Sequence, residues 1–96
     1  MKTYEIMFII RPTVGEDEVK KIIKDFGKIL TDKKAKIISE KDMGQRELAF
    51  EINDFKSGFY YLYNVEAEND EAVKEFDRLA AINNDIIRHL ITKIES

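Results

Sequence analysis

The chain has 96 residues, of which 44% are hydrophobic and 36% charged, and its formal net charge is −3. This length fits one domain with a single core, and the absence of cysteine excludes a disulfide framework and thiol chemistry. The negative charge argues against a protein that coats nucleic acid by bulk electrostatics, because nonspecific phosphate binding needs clustered cations. No apolar run approaches the roughly 20 residues needed to cross a bilayer, so we expect a cytoplasmic location and no membrane partner.

The first predicted elements are a strand and a helix. Alternation from Tyr4 to Ile10 predicts a strand, and its two fairly apolar faces place it in the middle of a sheet. Pro12 ends this strand. Thr13 and Glu16 have the spacing of a capping box at the start of a helix. The apolar stripe of that helix consists of Val19, Ile22, Ile23, Phe26, Ile29 and Leu30.

A long second strand is predicted from Ala35 to Ile52. Gly44 interrupts its pattern, and a glycine inside a strand often marks a bulge or a kink. We therefore expect one bent strand. Beyond the glycine, alternation predicts that the second half of this strand faces the core through Leu48, Phe50 and Ile52.

The second part of the chain again gives a strand, a helix and a strand. Residues 53–58 form a predicted turn, and residues 59–66 form a strand rich in β-formers. Asn69 or Asp70 is expected to cap a helix. The buried stripe of this helix consists of Val73, Phe76, Leu79 and Ala80. Residues 86–94 form the last strand.

The order β-α-β-β-α-β predicts a single α+β domain over residues 1–96 with the ferredoxin-like arrangement. Two helices should cover one face of a four-stranded antiparallel sheet, with the first and third strands central. By strand parity, the other face carries Met7, Ile9, Tyr60, Leu62 and Asn64. Such an apolar face indicates a partner, and a solvated sheet face is the alternative. RNA-recognition modules stack bases on aromatic residues here, but their glycine-aromatic motif is missing.

Charge is unevenly spread along the chain. Residues 20–41 contain eight lysines and three acids, whereas residues 66–77 contain six acids and one lysine. These segments are either two solvated helix faces or the opposite sides of a polarised molecule that meets different partners.

Residues that commonly carry catalysis are scarce. His89 is the single histidine, and no spacing predicts a metal site or a phosphate-binding loop. We therefore expect that the chain is not an enzyme and that it binds no cofactor, metal or small-molecule substrate. An acylphosphatase-like activity is the weaker alternative, because Arg11 and Gly15 lie between the first strand and the first helix. The acids at 16–18 would, however, repel a phosphate.

Four segments of the chain are similar to one known family, in order and with compatible spacing. They read YEIMFIIRP, GQRELAFEI, GFYYLYNVEA and NNDIIRHLITK. Together they resemble bacterial small-subunit ribosomal protein six over essentially all 96 residues. The second segment is the most specific, and the family more often has tyrosine at the position of Phe50.

The resemblance implies a non-catalytic assembly protein of the ribosome. Members of this family bind the central domain of 16S ribosomal RNA as a heterodimer with a small basic partner, ribosomal protein eighteen of the small subunit. Such a partner would supply much of the phosphate neutralisation, which fits the acidic balance of this chain. A ferredoxin-like adaptor for another protein is the alternative.

The bent second strand is then expected to be the docking edge for the protein partner, because an edge strand leaves backbone groups unpaired. The expected contacts lie on this strand and on the open face: Met43, Gly44, Gln45, Glu47, Tyr60 and Leu62. Alternatively, the kink and the polar side chains only keep the edge from aggregating.

RNA contacts are expected from cations near the first and last strands. Arg88 lies where the family places basic residues near the RNA, and Lys2 and Lys93 are expected close to it because the two strands are neighbours. Arg46 would join from the bent strand. His89 is included, although parity points it to the opposite face, where a structural role is more usual. The lysine-rich first helix is a competing RNA surface.

Overall fold

Six elements form the fold in the order expected from the sequence. The computed structural model describes residues 2–52 and 54–94. The elements are β1 (Lys2–Ile10), α1 (Glu16–Asp32), β2 (Lys36–Ile52), β3 (Phe55–Ala67), α2 (Glu71–Ile82) and β4 (Ile86–Ile94). The strands form one antiparallel sheet in the order β2-β3-β1-β4, so that β1 and β3 are central. The predicted ferredoxin-like architecture is confirmed.

Phe8 of β1 connects the sheet to both helices. Its side chain is fully buried, and its ring centroid lies 6.0 Å from that of Phe26 in α1 and 5.6 Å from that of Phe76 in α2. The rings of Phe26 and Phe76 also meet edge to face at 4.9 Å. Such aromatic pairs contribute about 0.5–1.5 kcal/mol each beyond the area that they bury. Since one strand residue contacts both helices, the helices cover the same face of the sheet.

The predicted core residues of the central strands lie on this covered face. They are Tyr4, Ile6, Phe8, Phe59, Tyr61, Tyr63 and Val65. All are buried except Phe59, which is half-buried and packs against the rest. The helices add the predicted stripe residues, of which Val19, Ile22, Phe26, Leu30, Val73, Phe76 and Ala80 are buried. The remaining stripe residues, Ile23, Ile29 and Leu79, are half-buried against this core.

Tyr63 joins the central strand β3 to α1 through a polar contact inside the core. Its hydroxyl donates a hydrogen bond to the carbonyl oxygen of Ile23. Burial raises the pKa of the Tyr63 hydroxyl far above its ordinary value, and the neighbouring Tyr61 adds to the rise. The hydroxyl of Tyr61 donates to the Glu40 carboxylate, and burial together with this bond raises the pKa of Tyr61.

The opposite face of the sheet is open, as predicted, but not at every position. Met7, Tyr60, Leu62 and Asn64 are half-buried on this face. The remaining member of the predicted set, Ile9, is only 3% exposed, so its predicted exposure is wrong.

Gly58 accounts for the burial of Ile9. A Cβ atom at Gly58 would overlap Cγ2 of Ile9 and would lie 3.6 Å from Cδ1 of Ile87. The missing side chain therefore lets β3 pack closely against these two isoleucines. Ile87, at the start of β4, is 9% exposed.

The start of α1 differs from the predicted capping box. The helix begins at Glu16, and its N-cap is Gly15, which makes no side-chain capping bond. Thr13 lies two residues too early to act as the cap, and its hydroxyl oxygen accepts a hydrogen bond from Arg11 instead. At α2 the N-cap is Asp70, as expected, although the Asn69 side chain accepts the hydrogen bond, from the backbone N–H of Glu71 at 3.0 Å.

The hairpin between β2 and β3 is longer than predicted. β3 begins at Phe55 rather than Phe59, so most of the predicted turn at 53–58 belongs to a strand. Asn53, within that turn, lies outside the described residues. Beyond the end of β1 at Ile10, which pairs with Phe59, β2 and β3 continue only with each other. We call this extension, residues 46–52 and 54–58, the arm.

The arm explains why the predicted core-facing half of β2 is wrong. Phe50 is 81% exposed, and Leu48 and Ile52 are only half-buried. Alternation in sequence predicts a strand with two unlike faces but does not say whether a second layer covers one of them. Neither helix contributes its buried stripe to the arm, because the core cluster includes no residue between 38 and 58.

Replacing Tyr63 with phenylalanine tests the buried hydroxyl. The variant should lose about 1 kcal/mol of unfolding free energy near pH 7, because one internal hydrogen bond is removed. Above pH 10 the unfolded wild-type chain releases the tyrosine proton while the folded chain retains it, so wild-type stability falls as the pH rises. The variant should show a shallower decline when urea unfolding is measured from pH 7 to 11.

Tyr60→Phe is the matched control, since Tyr60 lies on the open face and its hydroxyl makes no hydrogen bond to the described residues. It should match wild type at pH 7. Equal alkaline slopes for wild type and Tyr63→Phe would contradict the role given to the Tyr63 hydroxyl.

Candidate functional site

The bend in β2 is fixed by local chemistry. Gly44 has a φ of +72°, in the left-handed region that favours glycine. The pairing of β2 with β3 shifts register between Asp42 and Gly44, so Met43 is an extra residue and the predicted bulge is confirmed. The Asp42 carboxylate accepts a hydrogen bond from the backbone N–H of Gly44 at 2.9 Å, which holds the kink.

Side chains that follow the bend point to both faces of the sheet. Arg46 pairs with Gly58 and therefore projects on the open side, with its Nε donating to the Met43 carbonyl oxygen at 3.2 Å. Gln45 pairs with Phe59 and projects on the opposite side, where its amide donates to Ser57 Oγ at 3.3 Å.

The residues predicted to bind a protein partner are therefore not on a single face. Tyr60 and Leu62 lie on the open face with Gly44 beside them, whereas Gln45 and Glu47 belong to the other side. They are joined by the outer edge of β2, which pairs with β3 on one side only within the described sheet. A partner that uses all of them would have to wrap around this edge.

One row of residues crosses the open face at the level of the bend. Its members, which face one another across neighbouring strands, are Gly44, Tyr60, Ile9 and Arg88. Neighbouring strands lie about 4.8 Å apart, so this row is about 14 Å long. Arg88 is exposed at its β4 end, and Arg46 is exposed on β2 two residues after Gly44, in the neighbouring row. The open face thus carries an arginine on each of its two edge strands and an aromatic ring between them.

A second row lies next to the first and is more apolar. It consists of Lys41, Leu62, Met7 and Leu90. Leu90 is 56% exposed. Sequence analysis missed Leu90 and Lys41, although strict alternation from Arg88 along β4 predicts Leu90 on the same face.

The cations expected beside Arg88 lie elsewhere. Lys93 pairs with Tyr4 and Lys2 with Ala67, so both are at the far end of β1 and on the helix-covered side by parity. The expectation that they share a region with Arg88 is wrong, because Lys93 lies five positions after Arg88 along β4, or about 16 Å away. Lys2 instead lies near the start of α2.

The surroundings of Lys2 are acidic. The pKa of Asp70 is lowered first by a hydrogen bond from Lys74, and the charge of Lys2 contributes more weakly. The Nζ atom of Lys74 lies 3.3 Å from Asp70 Oδ2. The Asp70 carboxylate therefore interacts with the charge of Lys2, which weakens Lys2 as a candidate for binding phosphate.

His89 occupies the helix-covered side, as parity predicts. It pairs with Phe8, and its Nε2 lies 2.7 Å from Asp77 Oδ1 of α2. The ring is half-buried. This contact ties β4 to α2, which is a structural role.

Arg11, the arginine that an anion-binding loop would need, instead makes hydrogen bonds that join two loops. Arg11 Nε donates to Asp85 Oδ1 at 2.7 Å, and Nη1 donates to the Thr13 hydroxyl. The backbone N–H of Arg11 also donates to the Asp85 carbonyl oxygen at 2.8 Å. Arg11 thus joins two loops, and this geometry gives no support to an acylphosphatase-like site.

Within 2–52 and 54–94, no cluster of three or more histidine or acidic side chains has a geometry that could hold a metal ion. No helix in the same ranges is both long and apolar enough to span a membrane.

Comparison with known proteins agrees with the resemblance seen in the sequence. The family model for ribosomal protein S6 matches residues 3–93. A solved structure similar to this chain is the crystal structure of 30S ribosomal protein S6 from Thermotoga maritima, with 30% sequence identity and a TM-score of 0.92. The match covers 97% of this chain and 87% of that chain. The chain therefore belongs to the ribosomal protein S6 family, whose members are structural proteins of the small ribosomal subunit.

Proposed function

We propose that this chain binds the central domain of 16S ribosomal RNA as a heterodimer with a small basic protein, ribosomal protein eighteen of the small subunit. The observation that carries the proposal is the open sheet face. This face combines the apolar row of Leu62, Met7 and Leu90, an arginine on each edge strand and a bent edge, and the helices leave it uncovered.

RNA contact is supported by the cations at the two borders of this face. Arg88 is exposed and makes no ion pair within the described part of the chain. Arg46 is exposed at the opposite border. Guanidinium groups bind phosphate oxygens through paired hydrogen bonds, and a half-buried tyrosine such as Tyr60 offers a ring for stacking with an unpaired base.

Protein docking is supported by the edge of β2 and by the apolar row of the open face. Unpaired backbone groups on an edge strand can accept a strand or a loop from another chain. Leu62 and Leu90 provide apolar area next to that edge. Since this chain carries a net charge of −3, a basic partner would complement it and would share the neutralisation of RNA phosphates.

The lysines of α1 are the competing RNA surface. Lys20, Lys21, Lys24 and Lys28 are exposed on the side of the molecule that faces away from the open sheet. If they carried RNA binding, the two arginines of the open face would be dispensable. The two surfaces can therefore be separated by single substitutions.

Arg88→Ala should weaken binding of the heterodimer to a central-domain RNA fragment by about tenfold, because one phosphate contact is lost. The slope of log affinity against log salt should become shallower by about one unit. Thermal stability should stay near the wild-type value, since Arg88 is exposed. Filter binding at several salt concentrations measures both quantities.

Lys21→Ala is the matched control on α1 and should leave RNA affinity within about twofold of wild type. A larger loss for Lys21→Ala than for Arg88→Ala would move the RNA site to the helix face and would contradict the proposal.

Gly44→Val should weaken the heterodimer, because a β-branched residue cannot easily hold a φ of +72° and the edge would straighten. Gly44→Asn should keep most of the affinity, since asparagine tolerates the left-handed region. Titration calorimetry with the purified partner measures the difference. If Gly44→Val folds and binds with wild-type affinity, the bent edge has no part in docking.

A further inference from the structure

The outer side of β4 is the second edge of the sheet, and it differs from the edge formed by β2. β4 pairs with β1 alone within the described sheet, so the backbone N–H and C=O groups of every second residue point away from the other strands. The pairing of β2 with β3 shifts register at three places, which interrupts the β2 edge. β4 has an extra residue only at its start, at Ile87, and pairs regularly from Arg88 to Ile94.

The regular segment, residues 88–94, has few of the features that keep an edge strand from pairing with another chain. It contains no proline, glycine or bulge, and seven residues are an ordinary strand length. Two of its residues on the open face, Leu90 and Ile94, are 56% and 40% exposed. An edge of this kind is a template for a further strand.

A second copy of the same segment fits this edge in one register. In regular antiparallel pairing, the paired residues point to the same face, so a two-fold axis passes through a residue and not between two residues. Ile91 is the middle residue of the segment, and an axis at Ile91 therefore overlaps all seven residues. Roughly six to eight backbone hydrogen bonds would then join the two copies.

Unlike charges meet on the helix-covered side in this register. His89 comes to lie opposite Lys93 of the second copy, and Oδ1 of Asp77 in α2 lies 2.7 Å from His89 Nε2. The Asp77 side chain is 64% exposed, so its carboxylate is accessible. Residues directly opposite each other have Cβ atoms about 5 Å apart, which brings the ammonium group of Lys93 within reach of Asp77. Two-fold symmetry forms this ion pair twice.

Apolar side chains meet on the open face. Leu90 lies opposite Thr92 of the second copy and diagonally beside Leu90 and Ile94 of that copy, at a distance that long side chains span. Pairing therefore covers the two exposed apolar residues of the edge. The two Arg88 side chains are about 20 Å apart along the strands, which exceeds the Debye length of roughly 8 Å, so their repulsion is screened.

We propose that the protein forms a two-fold symmetric dimer by pairing β4 with β4 of a second copy, with Ile91 on the axis and with Lys93 of each copy bound to Asp77 of the other. The two sheets become one, and all helices lie on the same side of it. This inference goes beyond the proposed function and does not depend on it. The interface is small, so the dimer is weak, with a Kd on the order of 10–100 μM.

Other occupants fit this edge less well. RNA phosphates would be repelled by the Asp77 carboxylate on the helix-covered side. A strand from a different protein could pair with the backbone, but only the same segment is known to bring a lysine opposite His89. The segment therefore complements itself in length, in charge and in its apolar residues.

Sedimentation equilibrium of the purified full chain, from about 5 to about 500 μM, tests the proposal by bracketing the expected Kd. The wild-type chain should pass from monomer to dimer over this range. Leu90→Lys should abolish the dimer, because lysines of the two copies would meet beside the axis. Ile38→Lys is the matched control, since Ile38 is 50% exposed on β2, the other edge strand, and it should keep the wild-type Kd.

A charge exchange tests the register. Lys93→Glu should raise Kd by about tenfold, because it places a carboxylate against Asp77. Combining Lys93→Glu with Asp77→Lys restores opposite charges and should return Kd to within about threefold of the wild-type value. Circular dichroism and thermal unfolding at low concentration show whether each variant monomer is folded.

Three results would overturn the dimer. The first is a wild-type chain that stays monomeric up to about 500 μM, which would leave the proposed function standing. The second is a dimer that Ile38→Lys abolishes and Leu90→Lys leaves intact, because the second copy would then use β2. The third is a monomeric chain in which Leu90→Lys lowers RNA affinity alone, because the edge would then serve RNA. A dimer that the charge exchange fails to restore would contradict the register at Ile91.

Discussion

The structure depends on one-sided burial of the sheet, and Phe8 is its centre. Its ring contacts an aromatic ring from each helix, and Tyr61 and Tyr63 of β3 pack against it at 5.9 and 6.0 Å. With 12 helical residues in α2 and 17 in α1, the two helices suffice to cover one face of four strands. The other face must then meet water or a partner. Under the proposed function, the apolar row of Leu62, Met7 and Leu90 on this face is the surface through which the chain assembles with other molecules.

Two of the irregularities in β2 shape the edge that the proposed function uses. Gly44 bends the edge at the level of Arg88, and the excess residues at 48–51 lift Phe50 out of the arm. Both departures interrupt regular pairing, which also protects a long edge from pairing with itself. Under the proposed function, the same features serve solubility in the free chain and contact in the complex. Family membership supports the complex as the setting in which they matter.

Sequence reasoning reached the fold because local signals agreed with one another. Strand alternation predicted the strands, apolar stripes predicted the helices, and the glycine predicted the bend. The order of these elements is that of the ferredoxin-like fold. Sequence reasoning failed where the burial or position of a residue depends on another element of the fold. Alternation at Phe50 looks the same whether or not a helix lies above it, and the burial of Ile9 depends on a glycine from another strand. Lys2 and Lys93 were misplaced because adjacency of strands does not specify the register between them.

Hydrogen exchange measured by mass spectrometry tests the central claim most directly, because it reports on backbone amides along the whole chain. Binding of the basic partner should slow exchange in β2, from Lys36 to Ile52, and leave α1 unchanged. Addition of the RNA fragment to the pair should then slow exchange in β4 around Arg88. Protection confined to α1 and α2, with β2 and β4 exchanging as in the free chain, would contradict an assembly role for the open face and its bent edge.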